Sequence, residues 1–123
     1  MSKSFVEVTT DISRAVGKIR AAAPGTIDAF NQFSKSALAP GALSALQKEL
    51  IALGIGVASH CDGCIGFHVK TLVRLGVSRE QLVETLGVAV YMGGGPSLMY
   101  AADAMRAYEE WQAKFAEAET ATV

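Results

Sequence analysis

The chain has 123 residues, half of them apolar, and a formal net charge of −1 from 11 basic and 12 acidic side chains. That is enough apolar material for one core and one compact domain, and the basic residues are too scattered to leave the electrostatic footprint of a nucleic-acid partner. The N-terminal MSKSFVEVTTDISRAV lacks the apolar stretch and cleavage site of a secretory signal, so a cytoplasmic location is expected.

In chain order, Phe5, Val8, Ile12, Ala15, Val16 and Ile19 recur at helical spacing and predict an amphipathic helix from about Phe5 to Ala22. Pro24 and Gly25 interrupt it. A second helix follows, with Ile27, Phe30, Phe33 and Ala37 on one side, closed by Ala39-Pro40-Gly41. The third runs from about Ala42 to Ala58. Its stretch LIALGIGVAS carries no charge and predicts burial nearly all round, and without alternation or a partner strand it does not read as β.

A fourth helix starts within SHCDGCIGFH and ends near Gly76, which suits a C-cap. Ser78 with Gln81 reads as a capping box opening the fifth helix, REQLVETLGVAVYM. The last helix follows Gly93-Gly94-Gly95-Pro96, with Leu98, Ala101, Ala102, Met105, Tyr108, Trp111 and Phe115 as its stripe and Glu119 to Val123 fraying. The uncharged run Thr85 to Ala102 is broken by three glycines and Pro96, so it predicts two buried helix pieces meeting at a turn rather than a membrane span. The expected fold is all-α, a single-domain bundle of about six helices over residues 1–123.

All the cysteine and histidine of the chain lies in SHCDGCIGFH. A metal site, a disulfide staple and thiol chemistry all compete for it. A reducing compartment argues against a permanent staple. Zinc on Cys61, Cys64 and His68, with His60 or Glu49 as fourth ligand, lacks the second ligand pair that structural sites draw from another element, so no metal is expected.

Thiol chemistry has the better case. Cys61 and Cys64 lie near a helix N-terminus, where free amides and the helix dipole favour the thiolate, the reactive form. His68, four residues after Cys64 and on the same helical face, is placed to take its proton or stabilise its thiolate. Gly63 and Gly66 add little bulk and offer room for a small oxidant. Glu49 stands in the most apolar helix, where a carboxylate needs a partner or takes up a proton; such a group is a candidate general acid or base. The plainer alternatives are an inert buried cysteine pair, a locally satisfied His68, a Glu49 at an exposed turn end, and a His60 that is a solvent or turn residue. The aromatic residues Tyr91, Tyr100, Tyr108 and Trp111 read as core or subunit contacts.

Glu49, Cys61-x-x-Cys64 twelve residues on, and His68 four residues later together resemble the signature of the alkyl hydroperoxidase and carboxymuconolactone decarboxylase family. The helices from Leu72 to Trp111, with the glycine-rich turn, are also similar to that family's downstream region, so the resemblance spans roughly Ala42 to Trp111. It implies an all-helical fold assembling into trimers or hexamers. It also implies a peroxidase or thiol-disulfide oxidoreductase acting on a hydroperoxide, since decarboxylase members lack the cysteine pair. By the same resemblance Cys64 is attacked by peroxide, Cys61 resolves the product to a disulfide, and His68 and Glu49 relay protons. No cofactor is implied. An external dithiol, a lipoyl group or a thioredoxin-like protein, reopens the disulfide. Characterised hydroperoxidases carry a bulkier residue, histidine in some, at the position of Gly63, so one relay member is absent here. A non-catalytic redox sensor or disulfide-exchange module and a decarboxylase-like lyase using His68 and Glu49 are the rival functions.

Overall fold

The computed structural model describes residues 3–122, which form six α-helices: α1 (Phe5–Ala22), α2 (Pro24–Leu38), α3 (Ala45–Ala58), α4 (Asp62–Arg74), α5 (Arg79–Gly93) and α6 (Gly95–Thr122). No strand occurs among the described residues. Each helix begins where the sequence supplies an acceptor for its orphan amides or a fixed φ. Ser4 caps α1 by accepting from the Glu7 amide, Pro24 opens α2, and Ser78 with Gln81 forms the expected capping box of α5. Ser44 with Gln47 forms a second capping box, which starts α3 three residues later than its apolar pattern alone predicts.

The core lies between α3, α4, α5 and α6. Leu53, Ile65, Leu72 and Leu82 are fully buried there, each contributing about 1.5–3 kcal/mol on transfer from water. Trp111 of α6 donates its indole N–H to the Gly66 carbonyl at 3.1 Å, which fixes α6 against the middle of α4. The N-terminal helix lies across α4, with Phe5 and Thr9 buried. Its start is tied down by Glu110, which accepts from the Ser4 hydroxyl at 2.9 Å and the Val6 amide at 2.5 Å.

Four expectations change. The third helix is not buried all round: Leu53, Gly56 and Val57 face the core, whereas Ile51 and Ile55 on the opposite stripe stay 50% and 63% exposed among the described residues. With Val88 and Met92 of α5 they line an apolar groove of about 500 Å³. The second helix buries no residue, and Phe30 and Phe33 are exposed. The buried stripe of α6 runs through Ser97, Ala101, Ala104, Ala107, Tyr108 and Trp111, while Leu98 points outward. That helix also continues to Thr122 rather than fraying from Glu119; Val123 lies outside the described residues. Between α5 and α6 the chain turns at Gly94, whose φ of 80° belongs to the left-handed region that glycine enters freely. No helix among the described residues is long and apolar enough to cross a membrane.

Candidate functional site

The site is built where α3 hands over to α4. Helix α3 ends in a Schellman arrangement: the His60 amide donates to the Val57 carbonyl at 3.2 Å and the Cys61 amide to the Gly56 carbonyl at 2.9 Å. The residue that turns the chain there is His60, with φ of 57°. At the end of α4 the same bonds, from Gly76 to Val73 and from Val77 to Leu72, are made around a glycine. A histidine pays a backbone penalty in this conformation that glycine avoids. Its ring explains the choice: it stacks on Tyr100 with centroids 4.6 Å apart, and its Nε2 lies 3.3 Å from the hydroxyl of fully buried Ser97. His60 is thus the exposed turn residue expected from the sequence, and its ring contacts also tie the entrance of the cysteine motif to α6.

Cys61 is the N-cap of α4 rather than a member of it, and Cys64 occupies the first turn. The Cys64 amide donates to Cys61 Sγ at 3.2 Å, so a sulfur sits where a serine or aspartate oxygen normally caps a helix. The two cysteines are joined as a disulfide, with their Cα atoms 5.3 Å apart.

Three glycines let neighbouring helices close on this turn. A Cβ on Gly56 would stand 2.9 Å from Cys64 Cβ, one on Gly63 would meet Ile12 Cδ1 at 2.7 Å, and one on Gly66 would meet Thr9 Cγ2 at 2.6 Å. The expectation that Gly63 and Gly66 leave room for an oxidant is thus overturned, because α1 already fills that space. A side chain larger than glycine at position 63 has no room here unless Ile12 moves.

Glu49 and His68, each expected to handle protons, are brought into contact. Glu49, 7% exposed, receives the Nδ1 hydrogen of His68 at 2.6 Å. The pairing follows from the way α3 and α4 lie together. Glu49 and Gly56 are seven residues apart on one face of α3, and they meet His68 and Cys64 respectively on one face of α4. With Nδ1 committed to the carboxylate, proton exchange falls to Nε2. The chemistry available is a cysteine pair at a helix N-terminus, with an oriented imidazole one turn along the same helix.

A second polar group, unforeseen from the sequence, flanks the disulfide on the α6 side. Lys3 Nζ stands 2.7 Å from Asp62 Oδ2 and 3.5 Å from Asp103 Oδ2, and Arg106 also pairs with Asp103. Among the described residues, no group of three or more His, Cys, Asp or Glu side chains is arranged to hold a metal ion.

The model of the Carboxymuconolactone decarboxylase family matches residues 24–107, more than half of the chain and inclusive of Glu49, both cysteines and His68. The chain belongs to the carboxymuconolactone decarboxylase family. Among solved structures of that family it is similar to an apo protein from Legionella pneumophila, at 51% identity with a TM-score of 0.85, covering 87% of this chain and 96% of that one. A Thermotoga maritima member, for which involvement in an antioxidative response has been suggested, matches at 26% identity and a TM-score of 0.79 over 95% of this chain and 97% of its own. An uncharacterized protein of Cupriavidus necator is 40% identical over 81% of this chain and 88% of its own length.

Proposed function

We propose that this family member is a thiol-dependent peroxidase and disulfide oxidoreductase that reduces hydroperoxides through Cys61 and Cys64. The observation that carries the reading is the Cys61–Cys64 disulfide at the N-terminus of α4, one turn from a His68 oriented by Glu49. The suggested antioxidative role of the Thermotoga maritima relative is consistent with it.

In the reduced protein, His68 Nε2 takes the Cys64 proton and the N-terminus of α4 stabilises the thiolate. The Cys64 sulfur attacks the terminal oxygen of the hydroperoxide, the O–O bond breaks, and the departing alkoxide takes the proton from His68 to leave as alcohol. Cys64 is now a sulfenic acid. The Cys61 thiolate attacks that sulfur, and hydroxide leaves and is protonated to water. An external dithiol, a lipoyl group or a thioredoxin-like protein, then supplies two electrons and becomes a disulfide itself.

A specific observation favours a second reading, disulfide exchange with a partner protein. Cys61 Sγ receives the Cys64 amide, a bond that would also support a Cys61 thiolate in attack on an external disulfide. Steady-state consumption of cumene hydroperoxide with dihydrolipoamide separates the two: sustained turnover supports the peroxidase, whereas a single stoichiometric oxidation with no turnover sinks it. The apolar groove between α3 and α5 fits the proposal that the chain works as a homo-oligomer, a trimer or hexamer, since an exposed apolar patch calls for cover.

A further inference from the structure

The residue between the capping cysteine and Gly63 is Asp62, whose carboxylate stands in the first turn of α4. One of its oxygens, Oδ1, is buried without a hydrogen-bond partner; the other, Oδ2, is held by Lys3 at 2.7 Å. Reduction of the disulfide places a thiolate at this same helix end. Asp62 competes with it for the helix N-terminus and repels it, and a desolvated oxygen is screened less than one in water. Lys3 offsets that repulsion. Its ammonium also stands 5.7 Å from the Tyr100 ring centroid, 5.9 Å from that of Phe5, and 3.5 Å from Asp103 Oδ2. The other charged or titratable groups around the cluster are Arg106, which pairs with Asp103, and His60 on Tyr100.

We propose that Lys3 is a redox-tuning residue: by pairing with Asp62 at the N-terminus of α4 it stabilises the thiolate form of the cysteine pair and so raises its reduction potential. The proposal rests on the pair being redox-active, and it deepens that reading by naming what sets its poise. In the step concerned, a dithiol passes two electrons to the Cys61–Cys64 bond and is oxidised to its own disulfide. Of its two protons, one stays on a protein sulfur and the other goes to solvent when the second sulfur remains a thiolate. A group that stabilises that thiolate favours the reduced protein.

The test equilibrates the full chain with dithiothreitol redox buffers at neutral pH and reads the oxidised fraction by alkylation and intact mass. Asp62→Asn should shift the equilibrium towards the dithiol about twofold to fivefold, the range of a first-turn charge, which is about 10–20 mV at ~30 mV per tenfold. Lys3→Gln should shift it by a similar factor the other way, and Lys3→Arg should restore the wild-type value. In the Asp62→Asn background, Lys3→Gln should lose most of its effect. Lys3 is half exposed, so these variants fold, as thermal melts would verify. A Lys3→Gln potential that equals the wild type, or that moves with Asp62→Asn, overturns the proposal while leaving the disulfide chemistry standing. A pair that never forms a disulfide overturns the redox reading itself.

Discussion

Replacing Glu49 by glutamine removes one charge from the pair with His68 and almost nothing from the packing. The carboxylate lies 2.6 Å from Nδ1 and its side chain is only 9% exposed, so water cannot substitute for it. A hydrogen bond to a charged group contributes about 1.5–3 kcal/mol net, and this one is strongest when His68 becomes an imidazolium. Loss of that stabilisation in the proton-transfer step corresponds to about a 10- to 100-fold slower reaction, at 1.36 kcal/mol per tenfold. The assay is stopped-flow oxidation of the reduced protein by one equivalent of hydroperoxide, followed through loss of alkylatable thiol. Glu49→Gln should react 10- to 100-fold more slowly and melt close to the wild type, and His68→Gln should be at least as slow. If Glu49→Gln oxidises within about twofold of the wild-type rate while His68→Gln is dead, the carboxylate does not act through the histidine and the account of the pair is wrong.

The glycines that admit neighbouring helices make a paired prediction. Gly56→Ala puts a methyl 2.9 Å from Cys64 Cβ and should lower stability by about 1 kcal/mol after its gain in helix propensity, whereas Gly17→Ala in α1, with nothing within 4 Å, should raise it by about 0.5–1 kcal/mol; chemical denaturation reads both signs. His60→Ala keeps the left-handed backbone but loses the Tyr100 stack and the Ser97 bond, so it should be about 1 kcal/mol less stable than His60→Gly, which sheds the strain as well; equal midpoints would mean that His60 is not strained. Ile55→Lys or Val88→Lys charges the α3–α5 groove and should dissociate the proposed homo-oligomer in light scattering, and a wild type that is already monomeric at micromolar concentration refutes the proposed assembly.

Much of this fold can be read from the sequence because its helices are punctuated locally. Pro24, Gly76 and the Ser78/Gln81 capping box mark boundaries within the chain itself, and α1, α4 and α5 fall where these residues put them. What periodicity cannot supply is which apolar face finds a partner. The uncharged run of α3 looks the same whether one side or both are covered, and Phe30 and Phe33 of α2 repeat at helical spacing yet stay largely exposed. The candidate site divides in the same way. Glu49 and His68 are recognisable from one turn of helical spacing and a carboxylate in apolar surroundings, and they do meet. Lys3 reaches the cysteine motif from near the N-terminus, and Ser97 and Tyr100 from the start of α6, so local spacing carries no trace of them. A positive φ at His60 is equally silent, because histidine is not a residue that announces a helix C-cap. The role of the glycines was legible only in part: their small size is plain, but that Ile12 and Thr9 fill the space, rather than an oxidant, depends on α1 folding back over α4.

The central claim is that peroxide oxidation passes through a sulfenic acid on Cys64 and ends in a Cys61–Cys64 disulfide. Intact-mass measurement of the reduced protein, before and after one equivalent of hydroperoxide, tests it most directly. The account predicts loss of two hydrogens in the wild type and a dimedone-trapped sulfenic acid on Cys64 in Cys61→Ser. A sulfenic acid trapped on Cys61 in Cys64→Ser, with none on Cys64 in Cys61→Ser, would reverse the roles, and a wild-type mass unchanged by hydroperoxide would contradict the claim outright.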